Sequence, residues 1–337
     1  MNRSAYQPPY TITSEILNRV AVISEAVGKL TALTDDAGAL RLRRANRIRT
    51  IHGSLAIEGN TLSEEQITAI LEGRRVIAPP REVQEVKNAL AAYDRFHTWT
   101  PESETDLLGA HRLLMSGLID EVDSYRSGGV GVMSGREVIH MAPPAPRVPS
   151  LMSDLFSWLA ATGAHPLIAG SVFHYEFEFI HPFADGNGRT GRLWQSLILS
   201  RWTPVFTDIP VESLIFEYQS EYYDALRRST VETDSASFIS FMLRMILETV
   251  TVVTPQVTPQ LTPQVGELLA VVTGEMGREE LQTALGLSDR KSFRERYLAP
   301  ALNAGLIEMT VPDKPTSRLQ KYRLTVRGHQ WLAEHRN

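Results

Sequence analysis

Apolar residues recur at helical spacing along most of this chain and give way to short β-rich runs in two places. Ile168, Val172, Tyr175 and Phe179 mark one helix; Leu193, Trp194, Leu197 and Ile198 mark another, too apolar to face water. A glycine-rich turn lies between them, so the pattern predicts two buried helices, the second beginning near Gly188 or Arg189. Upstream, Ile48, Ile51, Ser54, Leu55 and Glu58 share an arc of roughly 120° at about 100° per residue. Glu58 therefore points with the apolar stripe. Gly59 is placed as a C-cap, and Ser63 with Gln66 forms a capping box for the next helix. Short runs around Ser134-Gly135 predict a hairpin, ended by Pro143-Pro144. The most apolar late segment, Phe238 to Val253, is interrupted by Arg244 and Glu248 and reads as a packed helix, not a membrane span.

Residues 254–265 repeat Thr-Pro-Gln-Val, Thr-Pro-Gln-Leu, Thr-Pro-Gln-Val. Three prolines at this period predict an extended, stiff spacer and a domain boundary. Beyond it the pattern predicts helices from Glu267 to Val272 and from Arg278 to Leu285, the latter closed by Gly286. Ser288 is placed as the N-cap of a third helix reaching about Ala304. Strands follow at Glu308–Val311 and Lys321–Thr325, separated by Pro312-Asp313-Lys314-Pro315. This order resembles a winged helix. Arg290, Lys291, Arg294 and Arg296 would suit phosphate-backbone contacts with DNA. Winged helices also dock proteins or form homodimers, and all three uses stay open.

Composition narrows the picture. At 337 residues the chain has room for two or three domains. The net charge of −5 gives no general case for nucleic-acid binding, although residues 266–337 alone carry 11 Lys/Arg against 9 Asp/Glu. With no cysteine there are no disulfides, thiol nucleophiles or cysteine zinc sites, which suits a reducing cytoplasm. The N-terminal residues lack the apolar run of a signal peptide, and no membrane partner is expected. His140, His165 and His174 show no zinc-ligand spacing.

The chemistry concentrates in His181-Pro182-Phe183-Ala184-Asp185-Gly186-Asn187-Gly188-Arg189-Thr190-Gly191-Arg192. A helix start offers unpaired N–H groups and the positive end of the helix dipole, an anion site. Gly186 and Gly188 let a pyrophosphate approach the backbone. Arg189 and Arg192 share one side of the first turn and can clamp phosphate oxygens. Asp185 suits Mg²⁺ bridging two phosphates, and His181 can take a proton from a hydroxyl near neutral pH.

These residues resemble the motif of the Fic (Fic/Doc) family, His-Pro-Phe-x-Asp/Glu-Gly-Asn-Gly-Arg-x-x-Arg, at every specified position. The resemblance implies a mostly helical domain that moves AMP from ATP to a Ser, Thr or Tyr hydroxyl of a protein. It implies His181 as general base and Asp185 as Mg²⁺ ligand. Gly186, Asn187 and Gly188 would cradle phosphates, Arg189 and Arg192 would bind the β and γ groups, and Phe183 would anchor the loop. Thr190 and Gly191 are carried along as ATP contacts. The hairpin is similar to the family's flap, which makes Val138, Ile139, His140 and Met141 nucleotide contacts and the flap a docking edge for the target segment. Tyr222-Tyr223 is similar to the family's adenosine neighbours. Ser54, Glu58, Gly59 and Asn60 resemble the inhibitory helix, Ser/Thr-x-x-x-Glu-Gly/Asn, of relatives that carry it N-terminal to the core. There the glutamate pairs with the second motif arginine, here Arg192, and obstructs the γ-phosphate.

The sequence thus leads to a mainly α fold: a helical Fic domain with a β-hairpin flap, plus a small C-terminal winged-helix (α+β) domain. The expected layout is 1–105 as an N-terminal helical region with its inhibitory helix at about 41–59, and 106–253 as catalytic core. A linker at 254–265 and a winged-helix-like domain at 266–337 follow. The expected activity is auto-inhibited protein adenylylation with Mg·ATP. Removal of AMP, transfer from another donor such as UTP, and a DNA-binding regulator that senses nucleotide are the alternatives.

Overall fold

Helices carry the chain from end to end, and the few strands are short. The coordinates are a computed structural model describing residues 6–33, 38–120, 122, 124–134, 137–257, 263–311, 314, 317 and 319–335. The chain divides into two compact units between Thr254 and Pro255. The first begins with α1 (Ser14–Leu33), α2 (Gly38–Ile57), α3 (Glu64–Leu71), α4 (Pro80–Arg95) and α5 (Glu104–Met115). An antiparallel hairpin, β1 (Gly131–Ser134) and β2 (Glu137–Met141), comes next. Then come α6 (Val148–Ala161), α7 (Pro166–Ile180), α8 (Asn187–Trp202), α9 (Val211–Glu217), α10 (Gln219–Glu232) and α11 (Ala236–Val257).

α7 sits at the centre, its polar side chains buried along with its apolar ones. From Leu167 to Ile180 only Phe179 escapes full burial, the signature of a helix enclosed on all sides. Its most extensive packing is on α8, where Leu193, Trp194 and Leu197 are also buried. The other helices jacket this pair. α3 opens with the expected capping box, Ser63 Oγ receiving the Gln66 N–H and Gln66 Oε1 receiving that of Ser63. By length and composition Ala236–Val253 of α11 could cross a membrane. Here Phe238, Ile239, Leu243, Met245, Ile246 and Val250 are buried in the unit's core, and Arg244 pairs with Glu221 and Glu248.

α2 crosses α9 so closely that a Cβ on Gly53 would lie 2.6 Å from the Glu212 carbonyl carbon and oxygen. Only glycine allows that approach, and backbone atoms cannot step aside cheaply. Gly53→Ala should therefore destabilise the first unit by about 1–3 kcal/mol. At about 2–4 °C per kcal/mol for a domain of this size, calorimetry should read a lower melting temperature. An unchanged melting temperature would show that α2 and α9 do not meet this way.

The second unit holds α12 (Pro263–Val271), β3 (Met276–Gly277), α13 (Arg278–Ala284), α14 (Arg290–Phe293), α15 (Ala299–Asn303), β4 (Ile307–Met309), β5 (Lys321–Leu324) and α16 (Val326–His335). Its antiparallel sheet has the order β3-β5-β4. Val265, Leu268, Leu281, Phe293, Leu306 and Tyr322 are among the side chains of its own core.

Several expectations are corrected. The Thr-Pro-Gln repeat is not extended throughout: α11 continues to Val257, and α12 starts at Pro263. Pro255 falls in the last turn of α11, where it removes one helical hydrogen bond while the buried stripe upstream holds the rest. Pro263 opens α12, where its missing N–H has no helical partner in any case. Residues 258–262 lie outside the described residues, as do Pro312, Asp313 and Pro315. Asp289, not Ser288, caps the third helix, its carboxylate accepting the Lys291 N–H. That helix is broken by a π-turn over Arg294–Leu298, just ahead of Pro300, which cannot donate to the carbonyl four residues back. β3 and α16 had no counterpart in the sequence reading.

Candidate active site

The loop joining α7 to α8 is fixed from several sides. α7 ends at His181, whose N–H donates to Phe177 O at 2.8 Å and whose backbone is left-handed, φ 50 and ψ 62. For a non-glycine residue that conformation is uncommon and costs on the order of 1 kcal/mol or more. Arg126 holds it there. This buried side chain donates to His181 O at 2.7 Å, Ile180 O at 3.3 Å, Gly128 O at 2.7 Å and Pro143 O at 2.5 Å. One guanidinium thus ties both ends of the hairpin segment to the loop. Phe183 is fully buried, with the His111 ring stacked on it at 3.6 Å. The His111 ring nitrogens lie 3.2 Å from Val122 O and 3.0 Å from Asp185 O, and burial pushes its pKa below the ordinary value.

Asn187 closes the turn on itself. Its Oδ1 accepts the Phe183 N–H at 2.9 Å and its Nδ2 donates to Phe183 O at 2.8 Å. The Asn187 side chain staples the loop through the Phe183 backbone, while its own backbone N–H belongs to the start of α8. Gly186 takes φ 83, and α8 begins directly after it. As the first residues of α8, Asn187, Gly188 and Arg189 have N–H groups with no intrahelical acceptor.

The two arginines differ in their surroundings. Arg189 is buried, 3.0 Å from Asp185 Oδ1 and 3.4 Å from Glu85 Oε1 on α4. Arg192 is almost fully buried and reaches across to the end of α2. It donates from Nε to Ser54 Oγ at 3.2 Å, and from Nη2 to Ser54 O at 2.9 Å and Glu58 Oε1 at 2.6 Å. Burial works against the Arg192 cation, but Glu58, Tyr222 and Glu178 outweigh it, and its pKa lies above the ordinary value. Glu58 Oε1 lies over Gly188 so closely that a Cβ there would overlap it. A carboxylate thus rests on the helix start where the sequence places an anion.

Asp185 is suited to a cation carried in on phosphates. Its Oδ1 accepts from Gly186 N at 2.6 Å and from Arg189; its Oδ2 meets Nη2 of the exposed Arg81 at 3.2 Å, a side chain that also pairs with Glu85. Among the described residues no group of three or more His, Cys, Asp or Glu forms a metal cage. A single carboxylate fits Mg²⁺, which is commonly bound by one or two carboxylates plus substrate phosphates.

The remaining expected site residues differ in burial. Thr190 is fully buried, its hydroxyl donating to Gly186 O at 2.8 Å. Gly191 faces α7, where a Cβ would meet Glu178, His174 and Phe177 at 3.1–3.2 Å. Both serve helix packing, because this side of α8 turns inward. Tyr222 is likewise core: it is 1% exposed, with its hydroxyl 3.1 Å from His174 Nε2. Its neighbour Tyr223 is half-buried and feels the charges of Glu58 and Arg192. Gly59 has φ 89 and ends α2, donating to Ala56 O. Asn60 donates to Glu85 Oε2 at 2.8 Å and Glu82 O at 3.2 Å, fastening that end to α4. Val138, Ile139 and His140 lie in β2, but their side chains fall outside the described residues; Met141 is exposed. Arg126, His111 and Glu178 were missed by sequence reasoning. They act on backbone or on buried neighbours, which leave no spacing signature.

Comparison with known proteins bears on this geometry. Residues 101–199 match the Fic/DOC family, and residues 263–325 match the Filamentation induced by cAMP protein Fic-like, C-terminal domain. The crystal structure of a Fic family protein from Desulfovibrio desulfuricans G20 is 52% identical, with a TM-score of 0.73, covering 95% of this chain and 99% of that one. Protein adenylyltransferase Fic of Culex quinquefasciatus is 31% identical over 218 residues, 61% of this chain and 41% of the relative. Protein adenylyltransferase fic-1 of Caenorhabditis elegans is 33% identical over 201 residues, 55% of this chain and 37% of the relative. The chain thus spans about half or less of the length of these curated relatives. Its motif loop, its helical core and the near full-length match to the Desulfovibrio protein lead to one assignment: the chain belongs to the Fic family.

Proposed function

We propose that this protein is an adenylyltransferase that moves AMP from Mg·ATP to a hydroxyl of a protein, and that Glu58 holds it inactive. The observation that carries the reading is the Glu58 carboxylate, 2.6 Å from Arg192 Nη2 at the start of α8. An anion seated at a helix start beside a buried guanidinium marks where a phosphate tail would sit and what it must displace. With the tail in place, the first N–H groups of α8, Arg189 and Arg192 hold its oxygens. Asp185 would hold Mg²⁺, which neutralises charge developing on the phosphates. His181 removes the proton from the target hydroxyl as that oxygen attacks the α-phosphorus, and pyrophosphate leaves. Fixed donors around the phosphates stabilise the transition state without reorganising. The absence of cysteine suits a reducing cytoplasm.

The test is intact-mass measurement of the Glu58→Gly protein incubated with Mg²⁺ and, separately, ATP, UTP, GTP and CTP. Addition of one AMP from ATP is expected. Addition from another nucleotide would move the reading to a different donor. No addition to the protein or to lysate proteins would sink it, and loss of AMP from a pre-modified substrate incubated with the wild type, which keeps Glu58, would favour the reverse reaction.

A second reading concerns the second unit alone. Arg278, Arg290, Lys291, Arg294 and Lys321 line a groove of about 900 Å³ that also holds Glu279 and Glu280. We infer a surface for the phosphate backbone of DNA, with Arg296 outside its lining. Replacing Arg290, Lys291 and Arg294 together by alanine should weaken binding of the full chain to a random-sequence duplex and flatten its salt dependence. Equal, salt-insensitive binding by both proteins would reject a DNA role.

A further inference from the structure

One buried acid has no part in the scheme above. Glu178 lies in the last turn of α7, three residues before His181, and its side chain is 6% exposed. Its Oε2 is 3.7 Å from His181 Nδ1; its Oε1 has no hydrogen-bond partner among the described residues. Gly191 leaves the space it occupies, since a Cβ there would come within 3.1 Å of Oε1. An apolar residue here would continue the helix's buried surface without the cost of about 1–3 kcal/mol for an unsatisfied buried polar atom. The acid therefore needs a reason beyond packing.

The groups facing it narrow that reason. On its own helix His174 lies 3.9 Å away, but its ring is occupied by Gln195 Oε1 and the Tyr222 hydroxyl, and burial pushes its pKa down to about 3. His174 is thus neutral and offers no counter-charge. From α8 Arg192 favours the ionised carboxylate; from the end of α2 Glu58 opposes it; from α10 Tyr222 feels its charge. Loss of water outweighs Arg192, and the carboxyl is pushed up to about 8. His181 is the remaining partner within reach.

We propose that Glu178 is a positioning residue for His181: its carboxylate receives the Nδ1 proton, which leaves the Nε2 lone pair facing the target hydroxyl. This rests on the adenylyltransferase reading for the role of His181. In the transfer step the hydroxyl proton passes to Nε2, the oxygen bonds to the α-phosphorus, and the bond from that phosphorus to the α–β bridging oxygen breaks. Pyrophosphate carries the leaving charge. The Nδ1 proton stays between imidazolium and carboxylate, as in other acid-oriented histidines. The separation of 3.7 Å is longer than a hydrogen bond and would close by somewhat under 1 Å in the substrate complex. The ionised acid holds the Nδ1 proton more strongly than a neutral carbonyl oxygen would and stabilises the imidazolium formed in the transfer step, so transfer should rise with pH as Glu178 loses its proton.

The experiment uses the full chain carrying Glu58→Gly, labelled with ¹⁵N histidine, and two further variants, Glu178→Gln and Glu178→Leu. Nitrogen chemical shifts read the His181 tautomer directly. At about pH 9 the parent and the Gln variant should hold the proton on Nδ1, since an amide oxygen also accepts it, and the Leu variant should lose that preference. The AMP-transfer rate should fall about 100-fold in Leu and under about tenfold in Gln, with KM for ATP unchanged in both. The alkaline limb of the pH profile should vanish in Gln. The same tautomer and the same pH profile in all three proteins would overturn the proposal. If Leu fails to fold by circular dichroism, a pH limb retained in Gln overturns it alone. Absence of AMP transfer in the parent would sink the adenylyltransferase reading instead, and the nitrogen shifts would still decide the role of Glu178.

Discussion

Glu58→Gly is expected to tighten Mg·ATP binding about 5–150-fold, the usual range for two sites coupled by 1–3 kcal/mol, and to switch on AMP transfer. The sign follows from competition. In the closed chain Arg192 Nη2 is engaged by Glu58 Oε1, and that oxygen lies over Gly188. On the proposed reading a phosphate tail would have to displace both contacts before it binds. Without the carboxylate, Arg192 keeps only Ser54 Oγ and Ser54 O as neutral partners. Breaking a fully buried ion pair costs about 3–5 kcal/mol, and the 30% exposure of the Glu58 side chain reduces that figure. The free variant should thus melt below the wild type, and saturating Mg·ATP should restore more stability to it than to the wild type. Titration calorimetry with thermal melts reads both effects. Equal ATP affinity in the two proteins would remove Glu58 from regulation.

His181→Ala, placed in the Glu58→Gly background, should lower transfer about 10²–10⁴-fold while leaving ATP affinity within a few-fold. The residue sits at the end of α7, outside the phosphate-holding groups, so binding and chemistry separate at this position. Its side chain is 19% exposed and lies at the end of a helix, not within one. The left-handed backbone stays enforced by Arg126, which grips the carbonyls of Ile180 and His181. Circular dichroism should thus be unchanged while mass-detected adenylylation disappears. Undiminished transfer would mean that another group takes the proton.

The helices around the loop were legible because two strong signals coincide there: an apolar stripe on each side and a turn rich in glycine. α8 starts at Asn187, one residue before Gly188 and two before Arg189, the two expected starts. The inward aim of Glu58 could be read from its place on the stripe, but its partner could not, since 134 residues separate it from Arg192. That pairing came from family resemblance. Thr190 and Gly191 turn into the core. A contiguous motif winds around a helix, so some of its members must face the core. Arg126 was invisible because its partners are backbone carbonyls, which every residue possesses. The broken third helix of the second unit followed from Pro300, whose effect falls on the turn before it.

The shared claim on Arg192 has a thermodynamic corollary. On the proposed reading, nucleotide and the Glu58 end of α2 exclude each other from one guanidinium, so whatever draws α2 away would strengthen nucleotide capture by the factor with which nucleotide draws α2 away. An antibody fragment raised only against the displaced form of that helix would, on that reading, act as an activator without touching the loop between α7 and α8.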